Sequence, residues 1–375
     1  MFYTSSRLRK QHGHWYAVLG YKDGDRHKER TKRLDATTKR AALAELDEWR
    51  LEMELAEPVR RCTTPAVEYA LALIDGMESR MEVERSTASD YRKGIRSWVP
   101  YIGDVRLCDL TRRQVEDAVA EMLRAGRVPS TVCKRLTVLK MACADAVSRG
   151  DLKESPLAGI RRPRLTRTRK NSIDDDLMRQ RVKDKLASMP LSRYVVAYYI
   201  ALYVGLRRGE IVGLQVQDVD LESRRGWVRR SIGVDGTEEY VKAPKTGGSR
   251  DFPLPETLRD VLSRWIALQR SERGVLRPTD WLLGYPDGHN MSVDVLSRKW
   301  ASLAENECWL GAAGKRPTLH DLRHTFATEA IAAGIDVKTV SSILGHANAS
   351  MTLDVYATAD PEAKRRAAAV IDGMI

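Results

Sequence analysis

Cysteine is scarce in this 375-residue chain and scattered through it: Cys62, Cys108, Cys133, Cys143 and Cys308 make an odd set without a Cys-x-x-Cys pair. That pattern excludes a disulfide framework and a zinc ribbon, and it suits reduced thiols in a cytoplasm. Long apolar runs are missing too. No stretch approaches an uninterrupted membrane span, and the opening "MFYTSSRLRKQHGHW" lacks the apolar centre of a signal peptide. No internal repeat and no low-complexity segment is present. Acidic charge falls short of basic charge, 51 against 63 residues, for a net +12 and a pI near 9.5. Such an excess points to a polyanionic partner, with nucleic acid ahead of a membrane surface.

The positive charge is clumped. Residues 1–40 carry eleven Lys and Arg against four Asp and Glu, and "RRPRLTRTRK" (Arg161 to Lys170) has six basic residues and no acidic one. At this length the chain should divide into two or three domains. In residues 1–60, "HWYAVLGYKDGDRHKERTKRL" predicts two strands joined at Asp23-Gly24, with Trp15, Ala17, Leu19 and Tyr21 on one face. A helix follows whose stripe of Ala42, Leu46, Trp49, Met53 and Ala56 can cover that face and leave the basic one free. Pro58 ends the unit. Residues 62–165 predict a bundle of four or five helices. "ERSTASDYRKGIRSWVPYIG" makes one, with basic residues on its outer side. Thr111 and Gln114 form a capping box before a stripe of Val115, Ala118, Val119, Met122 and Leu123. The next helix carries Val132, Leu136, Leu139, Cys143 and Ala146. The basic run 161–170 reads as a linker. A third domain spans 170–375, with helices over about 174–189 and 191–213 and short strands with turns at Asp235-Gly236 and Gly247-Gly248. Helices then resume. The expected class is multidomain and mainly α with small β-sheets: a sheet-plus-helix domain, a helical bundle and an α+β catalytic domain.

One set of side chains in the last domain shares a physical theme. "GLRRGE" places Arg207 where a helix resumes after Gly205, and "APKTGGSR" places Lys245 beside a glycine turn. "LHDLRHTFATEA" puts His320 and Arg323 on one helix face, and "LGHANASMTLDVYAT" holds His346, Thr352 and Tyr356. Two guanidiniums can clamp the oxygens of a phosphodiester. Imidazoles can donate or shuttle protons, an ammonium can protonate a leaving alkoxide, and a phenol can attack. Val337, Val340 and Leu344 predict a helix face ending at Gly345, so His346 follows a C-cap and Tyr356 falls on a short separate helix begun near Ser350.

In order and spacing these motifs resemble those of the tyrosine recombinases, the phage-type integrases, over residues 170–375 and with every member present. The resemblance implies that Tyr356 attacks the scissile phosphate, leaving a 3′-phosphotyrosyl link and a free 5′-hydroxyl. An ordinary phenol with a pKa near 10 is ionised about once in a thousand at neutral pH, a handicap of roughly 4 kcal/mol. Positive charge from Arg207 and Arg323 offsets it. The resemblance makes His320 a proton acceptor or phosphate donor, His346 a second donor and Lys245 the acid for the leaving oxygen, with Glu210 orienting the site and His324 packing. It implies neither metal nor other cofactor, no ATP and no membrane. The partner is double-stranded DNA at attachment sites, bound by a homo-tetramer in a bacterial cytoplasm and its nucleoid, with accessory DNA-bending and directionality proteins as further partners. On layout alone, residues 1–60 are expected to bind a separate arm site and 62–165 the core site. "PEAKRRAAAVIDGMI" is expected to pack on a neighbouring subunit.

Integration or excision of a mobile element such as a phage is the reading these features favour. An Xer-like resolvase and a type IB topoisomerase share the chemistry. A catalytically silent DNA-binding regulator would not need the nucleophile. "HDLRH" has the spacing of the zinc-peptidase motif, but Asp321 stands where its glutamate would be, and Arg323 sets a cation beside the metal.

Overall fold

The computed structural model describes residues 3–23, 26–55, 62–165, 170–244 and 248–345. Lys245, His346, Thr352 and Tyr356 therefore lie outside the described residues, as do Ala56, Pro58, most of the 161–170 run past Leu165, and the C-terminal helix expected after Asp360. Contacts divide the chain into two units, Met1–Leu165 and Thr166–Ile375. None of the described helices is long and apolar enough to cross a membrane.

The first unit begins with an antiparallel sheet of three strands, β1 (Tyr3–Gln11), β2 (His14–Asp23) and β3 (Arg26–Arg33), in the order β1-β2-β3. The sequence predicted only the second and third. "YTSSRLRKQ" has no apolar alternation to read, and it becomes a strand by pairing with β2. Gln11 opposite His14 leaves a two-residue turn whose His12 and Gly13 both have positive φ, 50° and 80°, as the twist of a tight hairpin requires. Helix α1 (Lys39–Leu55) covers one face, its Ala42, Leu46 and Trp49 packing on Ala17 and Leu19, with Trp15, Tyr21 and Met53 at the edge. Tyr16, Val18 and their cross-strand neighbours Arg9, Arg7 and Arg33 form the opposite face. There Val18 is buried beneath longer side chains.

A separate core belongs to α2 (Ala66–Ser79), α3 (Arg85–Arg96), the one-turn α4 (Val99–Ile102), α5 (Arg112–Arg124) and α6 (Pro129–Ser148). The stripes read from the sequence are its interior. Val115, Ala118 and Met122 meet Val132, Leu136, Leu139, Cys143 and Ala146, all buried, and Thr111 and Gln114 form their capping box. The segment expected as one helix breaks at Ser97 and Trp98, because the fully buried Trp98 indole is drawn inward and donates to the Arg135 carbonyl. Arg92, expected on the outer side, turns instead toward α2 and pairs with Asp75 (2.7 Å) and Glu78.

In the second unit, α7 (Asp176–Ser188) leads to α8 (Arg193–Val204), which is buried along almost its whole length. The helical stretch expected over 191–213 breaks where "GLRRGE" suggested: α8 is capped by Gly205, in the left-handed region at φ 63°, and α9 (Arg208–Val212) starts afresh with Arg207 at its N-cap. Two small sheets follow. One orders β4 (Val219–Asp220), β5 (Arg225–Val228) and β8 (Arg250–Pro253). The other is a hairpin of β6 (Ser231–Asp235) and β7 (Glu238–Lys242), turning at Gly236. Helices α10 (Glu256–Arg273), α11 (Val293–Asn306), α12 (Leu319–Ala332) and α13 (Val337–Leu344) complete the described chain. The Tyr198 ring of α8 meets Trp300 of α11 edge-on at 4.9 Å, inside one large core.

Candidate active site

Two glycines bring the site's backbone segments together. A Cβ at Gly205 would lie 2.8 Å from carbon atoms of Phe326 and Leu344, so only glycine lets α12 and α13 close on the end of α8. A Cβ at Gly209 would lie 2.4 Å from the Ile232 carbonyl oxygen, which seats α9 directly on β6.

The last turn of α13 then meets three guanidiniums. A helix end leaves its final carbonyls without partners, and here arginines supply the donors. Arg250 donates from Nε to the Ile343 oxygen at 2.8 Å, and Arg323 from Nη2 to the Leu344 oxygen at 2.7 Å. Arg207 donates from Nη2 to the Gly345 oxygen at 2.9 Å. Arg323 also donates to the Gly205 oxygen at 2.9 Å, tying α12 to the end of α8. Cations at a helix C-terminus are favoured by its dipole as well.

Glu210, only 1 % exposed, lies between two of these cations. Its Oε1 accepts from Arg207 Nη1 at 2.9 Å and from Arg250 Nη1 at 3.0 Å. Its Oε2 accepts from Arg250 Nη2 at 2.6 Å and from the Arg207 amide at 2.9 Å. Burial pushes the Glu210 carboxyl up, but the Arg250 contact and then the Arg207 contact outweigh it. The group stays below the usual carboxylate range and ionised. Three guanidiniums and one carboxylate, which pairs with two of them, leave two net positive charges in a partly desolvated place, which suits binding a phosphodiester and stabilising extra charge on it.

Helix α12 starts at a capping box in which Thr318 and Asp321 satisfy each other's amides, so His320 falls in its first turn. His320 opens to solvent; His324, one turn on, is half-buried, and the rings meet edge-on at 4.7 Å. Desolvation by the surrounding protein, then the Arg323 charge, pull the His320 imidazole below its usual value. Burial and then His320 take His324 down to about 4. Both rings are neutral at pH 7, so His320 can accept a proton. Burial and the Arg207 charge lower the Arg323 guanidinium to about 9, still charged at neutral pH. Among the described residues no group of three or more His, Cys, Asp and Glu could hold a metal ion.

Of the residues singled out in the sequence, the structure brings together Arg207, Glu210 and Arg323, with the charges of Arg207 and Arg323 acting on His320. The described chain stops one residue short of His346, at Gly345, whose carbonyl Arg207 holds. Arg250 was not anticipated. In "GGSRDFPL" it is one basic residue among many, and only its long-range partners distinguish it.

The phage integrase family model matches residues 177–363. Two curated relatives are tyrosine recombinases XerC. The protein of Yersinia pestis is 30% identical over 272 residues, covering 68% of this chain and 81% of the relative. That of Serratia marcescens is 27% identical over 324 residues, covering 80% of this chain and 99% of the relative. Among solved structures, the Tn1549 transposon integrase in complex with circular intermediate DNA matches 81% of this chain and 98% of that one, at 20% identity and a TM-score of 0.67. A lambda integrase dimer bound to a core site matches 93% of this chain and 94% of that one, at 17% identity and a TM-score of 0.61.

Proposed function

Because this chain belongs to the tyrosine recombinase family and is a site-specific recombinase that cleaves and rejoins DNA, we propose that Tyr356 is its nucleophile, served by Arg207, Lys245, His320, Arg323 and His346. One observation carries the assignment. Arg207 and Arg323 converge on the carbonyls of Leu344 and Gly345, immediately before His346 and eleven residues before Tyr356. The two clamp arginines thus hold the turn from which the sequence runs on to His346 and Tyr356.

In this mechanism the guanidiniums take the non-bridging oxygens of the scissile phosphate, and their charge stabilises the transition state. The Tyr356 oxygen bonds to phosphorus as the bond to the 5′ oxygen breaks. The neutral His320 accepts the phenol proton, Lys245 gives one to the departing 5′-hydroxyl, and His346 donates to the phosphate. Religation reverses these transfers with a new 5′-hydroxyl, so neither ATP nor metal is consumed.

The proposed substrate is the attachment site of a mobile element, with residues 1–60 as a separate arm-site domain and 62–165 gripping the core site as part of a tetramer. What supports this over an Xer-like resolvase is length. The Serratia relative is matched over 99% of itself by 80% of this chain, which leaves a fifth of the chain without a counterpart. The fold likeness to lambda integrase extends over 93%. The decisive test is covalent. A nicked duplex carrying the core site should yield an SDS-resistant adduct with the wild type, in EDTA as well. Tyr356→Phe should bind the same duplex and give none. An adduct from Tyr356→Phe would show the nucleophile to be another residue.

A further inference from the structure

We propose that Arg250 is a positioning residue of the recombinase site, holding Glu210, Arg207 and the last turn of α13 as one rigid unit. The inference rests on the assignment of Arg207, Arg323, His346 and Tyr356 given above.

Three observations carry it. Arg250 opens β8, and its side chain is only 10 % exposed, so its charge acts at short range inside the protein. Its guanidinium is committed: both Nη atoms grip the two oxygens of Glu210, and Nε holds the Ile343 carbonyl. The chain is also shaped around it. A Cβ at Gly345 would lie 2.8 Å from both Cζ and Nε of Arg250, and Gly345 itself sits at φ 62°. Glycine there lets the arginine pass beneath the backbone at the residue before His346.

The consequence is electrostatic as well as mechanical. Glu210 is buried, so its charge is poorly screened by water. With Arg250 present, two cations share that carboxylate, and Arg207 keeps part of its field for a phosphate. Without Arg250, the carboxylate has Arg207 alone and draws its guanidinium away from the phosphate. Arg250 also lies five residues after Lys245 in sequence. One side chain thereby links the strand following Lys245, the helix that begins at Arg207, and the turn that leads to His346.

The test uses the full-length protein. Its DNA is chosen from a random duplex pool by binding to Tyr356→Phe, then nicked for single-turnover cleavage. Arg250→Met should cleave at least about tenfold more slowly at saturating DNA while its Kd stays within about twofold of wild type. Arg250→Lys should recover part of the rate, since an ammonium reaches Glu210 but lacks the planar fork. Adding Glu210→Gln to Arg250→Met should speed cleavage relative to Arg250→Met alone, because no unbalanced carboxylate then competes for Arg207. A merely structural role would not give that recovery. The inference is overturned if Arg250→Met cleaves at the wild-type rate, if its loss lies in Kd, or if the double variant is slower than Arg250→Met. Should Arg250→Met not melt cooperatively, Arg250→Lys decides, and a wild-type rate overturns the inference. Failure of the underlying assignment is separate, since it would appear as an adduct formed by Tyr356→Phe.

Discussion

Arg323 is among the largest fully buried side chains, 2 % exposed, and it is charged. Burying a guanidinium is costly unless its donors are used, and here two carbonyls, of Gly205 and Leu344, accept from it. Both are helix-end carbonyls, so the residue that would clamp a phosphate also closes the junction of α8, α12 and α13. Lysine keeps the charge but cannot span both acceptors while facing a phosphate. Arg323→Lys should therefore lose about 3 kcal/mol of transition-state stabilisation, roughly a hundredfold in cleavage rate. It should also unfold more easily, by about 1–2 kcal/mol for the carbonyl left unpaired. Single-turnover cleavage and urea unfolding measure the two. A rate within about threefold of wild type would remove Arg323 from the clamp.

At the scale of the element, α12 carries its histidines four residues apart on one face, and its capping box sets the register from which both project. Protonation of His324 is opposed by burial and by His320, Lys170 and Arg323, with Asp321 alone pulling the other way. The folded pKa of about 4 lies below the unfolded value near 6.5, so between them the unfolded chain binds the proton first. Stability should thus be full above about 6.5 and fall as the pH drops toward 4, by on the order of 3 kcal/mol. Urea-unfolding midpoints of wild type and His324→Gln across that window test it. The variant should lose less stability on acidification, and parallel curves would assign the loss to other groups.

For the whole molecule, net charge and its placement set the expectations. The chain carries +12, and residues 1–40, which include the sheet and the start of α1, carry seven of those charges; the second face of the sheet holds Arg7, Arg9, Arg33 and Tyr16. A narrow antiparallel sheet can enter a major groove and present such side chains to phosphates and base edges. The sheet has its own core with α1, separate from that of the bundle. Removal of residues 1–61 should leave cleavage of a core-site duplex intact and abolish footprint protection at a second site on attachment DNA. Unchanged protection there would rule out the arm-site reading.

The sequence by itself determined what depends on near neighbours along the chain. The stripes of α1, α5 and α6, the Thr111 capping box, the C-cap at Gly345 and the break near Arg207 all follow from periodicity and local backbone preference, because their partners lie within a few residues. The spacing of Arg207, His320 and Arg323 was legible for a different reason: particular side-chain types had to recur in a particular order. Only the tertiary structure decided the rest. It made a strand of residues 3–11, which carry no apolar alternation and acquire their pairing from β2. It turned Arg92 inward to acids on another helix, and gave Arg250 its role through partners forty and ninety-three residues away in sequence. A guanidinium's worth depends on which carboxylates and carbonyls folding brings within 3 Å of it, and those partners come from segments whose separation in sequence leaves no periodic trace.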